Sequence, residues 1–105
     1  MVCLIFRAKA KPGKEDEAVK AMTKMAETVQ AQEPGALAYV LHRLQEDPST
    51  IVLYEQYADD AAFQGHTGTS HMGEMRSAFA DLFDTTQVKV ERLEHVAGFT
   101  RGEPS

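Results

Sequence analysis

Apolar positions recur along this chain in two rhythms. Residues 2–10 (VCLIFRAKA), 36–44 (ALAYVLHRL), 51–57 (IVLYEQY) and roughly 87–96 are short, apolar or β-rich runs, and they predict strands. Ala18, Met22, Met25, Ala26 and Val29 instead fall on one helical face, with Lys20, Lys24 and Glu27 on the other. A helix is expected there. KPGKEDE precedes it as a Pro-Gly break followed by acids suited to a helix N-terminus, and Pro34-Gly35 ends it. QEDPST reads as the turn of a hairpin between the second and third strands. Asp59 or Asp60 is expected to cap a short helix carrying Ala61, Ala62 and Phe63, interrupted by Gly65 and Gly68. Ser70 is expected to cap a second segment whose apolar face is Met72, Met75, Phe79 and Leu82/Phe83.

The resulting order, strand, helix, strand, strand, broken helix, strand, is the α+β ferredoxin-like βαββαβ arrangement, a four-stranded antiparallel sheet with its helices on one face. Right-handed crossovers place both helical segments on that same face. The strands do not alternate apolar with polar, as a sheet with one wet face should: Cys3 and Ile5 oppose Leu4 and Phe6, and Val52 and Tyr54 oppose Ile51, Leu53 and Tyr57. One layer of helices cannot cover two apolar faces. A homodimer joined sheet to sheet is therefore expected.

Composition narrows the partners. With 105 residues the chain holds one domain, expected over 1–96, followed by 97–105 as a tail or inter-subunit arm. A net charge of −5, with Arg7, Lys9, Lys11 and Lys14 scattered, offers no phosphate-neutralising stripe, so no nucleic acid and no membrane partner is expected. The longest apolar run, Val2 to Phe6, is too short to span a bilayer and resembles no signal peptide. One cysteine, Cys3, excludes an internal disulfide and fits a cytoplasmic setting; within an apolar run it reads as a packed thiol.

The densest chemistry is Tyr54-Glu55-Gln56-Tyr57, followed by His66 and His71. Glu55 shares a strand face with Ile51, Leu53 and Tyr57, where a carboxylate needs a partner, and His66 or His71 is a natural one. A carboxylate that holds one imidazole nitrogen fixes the tautomer and makes the other a better general base. The plainer readings are an edge charge for Glu55 and helix-end packing for the two histidines. His42 and His95 read as structural or solvent-exposed, and Met22, Met25, Met72 and Met75 as core. Tyr39, Tyr54 and Tyr57 read mainly as core aromatics, and any that borders a pocket could bind a polar ring. Two histidines and a carboxylate are also the ligand set of a metal triad. Five residues put His66 and His71 about 140° apart on an ideal helix, so no metal is expected.

Tyr54-Glu55-x-Tyr57, then Asp59-Asp60-Ala61-Ala62-Phe63, then His66-x-x-x-Ser70-His71, within a βαββαβ frame, resembles the antibiotic biosynthesis monooxygenase domain family, which includes quinol monooxygenases. The likeness covers roughly residues 2–96 and is most specific over 54–71. It implies a dimeric α+β barrel that oxygenates phenolic, quinol or polycyclic aromatic substrates with molecular oxygen and no flavin, heme or metal. Carried over by position, Glu55, His66 and His71 are the implied catalytic residues. Tyr39, Tyr57 and Phe63 are expected to bind a small aromatic substrate. A heme-degrading branch of the fold uses a Trp and an axial His; this chain has no Trp, His66 stands about where that Trp would be, and Arg76 stands near the axial position. The alternatives are a non-catalytic dimeric ligand-binding or stress-associated protein, and an isomerase of a small metabolite, for which Arg7, Lys9 and Arg43 form no clear cluster.

Overall fold

The computed structural model describes residues 1–102. The elements are β1 (Val2–Ala10), α1 (Glu15–Gln32), β2 (Ala36–Arg43), β3 (Thr50–Tyr57), α2 (Asp60–Thr67), α3 (Ser70–Leu82) and β4 (Phe83–Leu93). The strands pair antiparallel in the order β2-β3-β1-β4, which is the ferredoxin-like arrangement.

Local chemistry accounts for most boundaries. Lys11-Pro12-Gly13-Lys14 closes with Lys14 N–H donating to the Lys11 carbonyl at 2.9 Å, and Gly13 takes φ +83°, the left-handed position a type II turn requires. Glu15, Asp16 and Glu17 occupy the first turn of α1, where the exposed N–H groups favour negative charge, and Ala18, Met22, Met25 and Val29 form its buried stripe. Asp59 caps α2 by accepting the Ala62 N–H at 2.8 Å.

Four boundaries differ from the sequence expectation. α2 runs through Gly65 and stops at Gly68, since a single glycine weakens a helix without ending it. Thr69, not Ser70, caps α3: its hydroxyl accepts from Met72 N–H at 3.3 Å and donates to the His66 carbonyl at 2.8 Å. β4 begins at Phe83 rather than near Gln87 and ends at Leu93 rather than Val96, so α3 passes into the strand without a loop. Burial explains the early start, because Phe83 is fully enclosed and pairs with Ala10.

Side chains alternate across the sheet. Tyr39, Glu55 and Leu4 form one row toward the helices, and Leu41, Leu53, Phe6 and Val90 form the next. Ala8, Ala10, Ala18, Met22, Ile51, Leu53, Leu82 and Phe83 make the main core there, while Val2, Leu4 and Tyr57 pack under Ala62 and Phe63 of α2. All three helices thus cover one face. The opposite face carries Ile5, Val40, Val52 and Tyr54 with no layer above them, and Val40 is 46% exposed. Toward β4 the same face turns charged, with Glu91 between Arg7 at 3.7 Å and Lys89 at 3.8 Å.

One close approach fixes how α2 sits. A Cβ at Gly35 would lie 2.7 Å from the Cβ of Ala62, well inside contact, so only glycine lets α2 lie this near the start of β2. The expected tail is irregular over its described part, with Val96 and Phe99 exposed, and residues 103–105 lie outside the described chain.

Candidate active site

Between the helices and the sheet lies a cavity of about 570 Å³, within the usual small-molecule range of about 300–1,000 Å³. Phe6, Leu53, Val88 and Val90 line it from the sheet, and Met72, Met75 and Phe79 from α3. The polar groups that reach this apolar space are few: Tyr39, Glu55, His66, Thr67 and Arg76.

His66 is placed in the last turn of α2, 97% enclosed, with the hydrogen-bonded turn at Gly68 and Thr69 holding its backbone. Its Nδ1 donates to the Glu33 carboxylate, at 2.9 Å from Oε1 and 3.0 Å from Oε2. His71, in the first turn of α3, donates from Nε2 to the same Glu33 at 2.5 Å. Glu33 therefore holds both imidazoles. With its Nδ1 occupied as a donor, a neutral His66 keeps the lone pair on Nε2, which makes no hydrogen bond within the chain; among the described residues no buried side-chain nitrogen or oxygen lacks a partner, so Nε2 opens onto the cavity. A carboxylate behind and an apolar space in front is the layout of an oriented general base.

Glu55 stands across from that nitrogen, its Oε1 3.8 Å from His66 Nε2, beyond hydrogen-bond reach. The Tyr57 hydroxyl donates to Glu55 at 2.6 Å. Burial raises the Glu55 carboxyl above its ordinary value, opposed by the Tyr57 bond and by His66 and reinforced by the Glu33 charge. Tyr39 and Tyr57 are pushed up as well, foremost by burial, so both remain hydroxyl donors at neutral pH. Arg76 donates to the Thr67 carbonyl at 3.1 Å and is the one cation among the cavity's lining residues.

Of the residues named from the sequence, His66, Glu55, Tyr39 and Phe63 line the cavity. His71 and Tyr57 do not: His71 acts on the far side of Glu33, and Tyr57 is fully buried with its hydroxyl committed to Glu55. The carboxylate that grips the histidines is Glu33 rather than Glu55. The sequence pattern does not single out Glu33, which stands just before the Pro34-Gly35 break. Its signal was electrostatic, since an acid at a helix C-terminus meets the negative end of the dipole and needs a cationic or N–H partner elsewhere. The five-residue spacing also misleads. Gly68 restarts the backbone between the two histidines, so their rings come to 6.4 Å despite lying on different sides of an ideal helix.

Fold and site together define a small α+β protein with a largely apolar cavity and a buried histidine held by a carboxylate. Residues 1–78 match the sequence profile of the antibiotic biosynthesis monooxygenase family, and the chain belongs to that family. Among solved structures, a Pseudomonas aeruginosa protein is 27% identical with a TM-score of 0.83, over 91% of this chain and 94% of that one. A Caulobacter crescentus protein bearing the family's name is 27% identical with a TM-score of 0.84, over 91% and 90%. A Mycobacterium tuberculosis protein at 23% identity shares the fold, with a TM-score of 0.83 over 94% and 98%. No curated protein matches the chain.

Proposed function

We propose that the protein is a monooxygenase that inserts oxygen from O₂ into a phenolic or quinol-type aromatic, using the substrate as its own reductant. The observation that carries this reading is His66, with Nδ1 tied to Glu33 and Nε2 facing a largely apolar cavity. Deprotonating a phenol there yields an electron-rich phenolate in a nearly dry space, where it passes an electron to O₂. The resulting superoxide and phenoxyl radical combine at a ring carbon, and loss of water leaves a new C=O. One oxygen atom enters the product and the other leaves as water.

The remaining groups have matching tasks. Glu33 orients His66 and stabilises its imidazolium, and His71 keeps Glu33 in place. Arg76, with the hydroxyl of Tyr39, offers positive potential to the developing oxyanion or peroxide. Glu55 lies opposite Nε2, where its raised pKa suits a carboxyl that relays a proton to the leaving water. Phe63 and Phe79 bracket an aromatic ring.

The reading includes a homodimer in which Ile5, Val40, Val52 and Tyr54 of two chains face each other. This apolar strip lies on the face the helices leave uncovered. Sedimentation at micromolar concentration should give twice the chain mass. For activity, a naphthohydroquinone in an oxygen electrode should be consumed faster than in the blank, and ¹⁸O₂ should place one label in the product. Saturable binding with no uptake would replace the enzyme by a ligand carrier.

A further inference from the structure

The Glu33–His66–His71 cluster has a second property beyond orienting a base. One carboxylate oxygen of Glu33, Nδ1 of His66 and Nε2 of His71 all lie within 4.8 Å of one another, and all three residues are largely buried. Donors around a single zinc ion, each at about 2.0–2.1 Å, sit about 3.0–3.5 Å apart, so the Glu33 oxygen, 3.0 Å from His66 Nδ1 and 2.5 Å from His71 Nε2, has to draw back slightly and the two ring nitrogens have to settle at that same spacing. They come from three elements, the end of α1, the last turn of α2 and the first turn of α3, each fixed by its own backbone bonds. Two imidazoles with one carboxylate is a donor set suited to zinc and neighbouring divalent transition ions.

We infer that Glu33, His66 and His71 form a binding site for a divalent ion of the zinc class, and that its occupancy switches the base off. The ion lies behind His66, since Glu33 and His71 do not line the cavity and the His66 ring stands between. It would therefore touch no substrate. Its effect is on the tautomer: coordination needs the Nδ1 lone pair, so the imidazole proton moves to Nε2, and the nitrogen that faces the cavity becomes a donor. His71 shifts in the opposite sense, from Nε2–H to Nδ1–H. No proton is released overall. Glu55, 3.8 Å from Nε2, would accept the new N–H after closing by about 1 Å, which gives the carboxylate–histidine–metal arrangement that steadies many metal-bound imidazoles. His71 and Glu33 keep about a tenth of their side-chain surface exposed, leaving a path for the ion and a water as fourth ligand.

The inference shares His66 with the proposed reaction, but the decisive readouts do not use turnover. Zinc titrated by calorimetry into the metal-free protein should bind at one equivalent per chain, and cobalt(II) should give the visible d–d bands of low coordination number. In ¹⁵N spectra of the imidazoles, zinc should convert His66 to the Nε2–H form and His71 to the Nδ1–H form. His71→Ala should weaken binding about 100-fold or more, given that even outer partners of a metal site are worth about 10–100-fold. No stoichiometric zinc, an unchanged affinity in His71→Ala, or imidazole tautomers that ignore zinc overturns the site. Should His71→Ala not fold, the ¹⁵N spectra of the unaltered protein still decide. Oxygen uptake that persists in the zinc-saturated protein overturns the switch, whereas a protein that binds zinc as described but never takes up oxygen keeps the site and removes the reaction.

Discussion

The two faces of the sheet use the same strands for opposite ends. On β3 the burial alternates residue by residue: Ile51, Leu53, Glu55 and Tyr57 are enclosed by helices, while Val52, Tyr54 and Gln56 look out the other way only partly covered. The helix side has a packed half around Phe83 and Ile51, and a half where the cavity and the polar cluster replace packing. The other side carries an apolar strip with a charged margin along β4. A chain this small presents a cavity on one face and an open apolar strip on the other, and a single strand serves both because its period is two.

The sharpest way to break that division is to test whether activity belongs only to the helix side. His66→Ala should lower oxygen uptake by about 10²–10⁴-fold, the usual worth of a general base, with the far-UV spectrum of the folded chain retained. Next comes stability. Ile51→Ala should cost about 2–5 kcal/mol in urea unfolding, whereas Val52→Ala, one residue on, should cost under about 1 kcal/mol when the protein is dilute. Equal costs at every concentration would mean that the outer face is as covered as the inner one.

Glu33→Gln should reduce turnover by about tenfold or more at unchanged substrate affinity, because an amide no longer enforces the His66 tautomer. On the outer face, Val40→Asp should shift the sedimenting species to single-chain mass while the far-UV spectrum stays the same. The smallest effect concerns pH. Because burial holds the Glu55 carboxyl above its ordinary 4.5, the folded chain keeps a proton that the unfolded chain has already lost. The stability this contributes is complete below pH 4.5 and is lost as pH rises through the raised value; Glu55→Gln should flatten that decline in urea melts.

Strands and the first helix were legible because their signals are local. Periodicity at Ala18, Met22, Met25 and Val29, and turn chemistry at Pro12-Gly13 and Pro34-Gly35, depend on near neighbours. The helix junctions were less so: whether Gly65 ends α2, or whether Thr69 or Ser70 caps α3, depends on small energies that tertiary contacts override. His66 and Glu55 were legible in the chemically dense stretch of the third strand and the helix after it, and Tyr39 and Phe63 only as aromatics expected against a substrate. Glu33 was not, because it lies 33 residues before His66 and 38 before His71, and only the folded backbone brings its carboxylate to them. The two-faced strands pointed to an uncovered sheet, yet the Arg7–Glu91–Lys89 margin emerged only with the pairing of β1 and β4.

The contact between Gly35 and Ala62 makes these two positions a matched pair. Ala62 stands one turn before His66 on the same helix, so the missing methyl at 35 governs how closely α2, and His66 with it, lies against the sheet. Across divergent sequences, a side chain at 35 should be tolerated only where position 62 shrinks to glycine or where α2 has lifted and the cavity has deepened. Variation at a residue that touches no ligand would then track the size of the molecule each protein accepts, and the pair offers a dial for altering it by design.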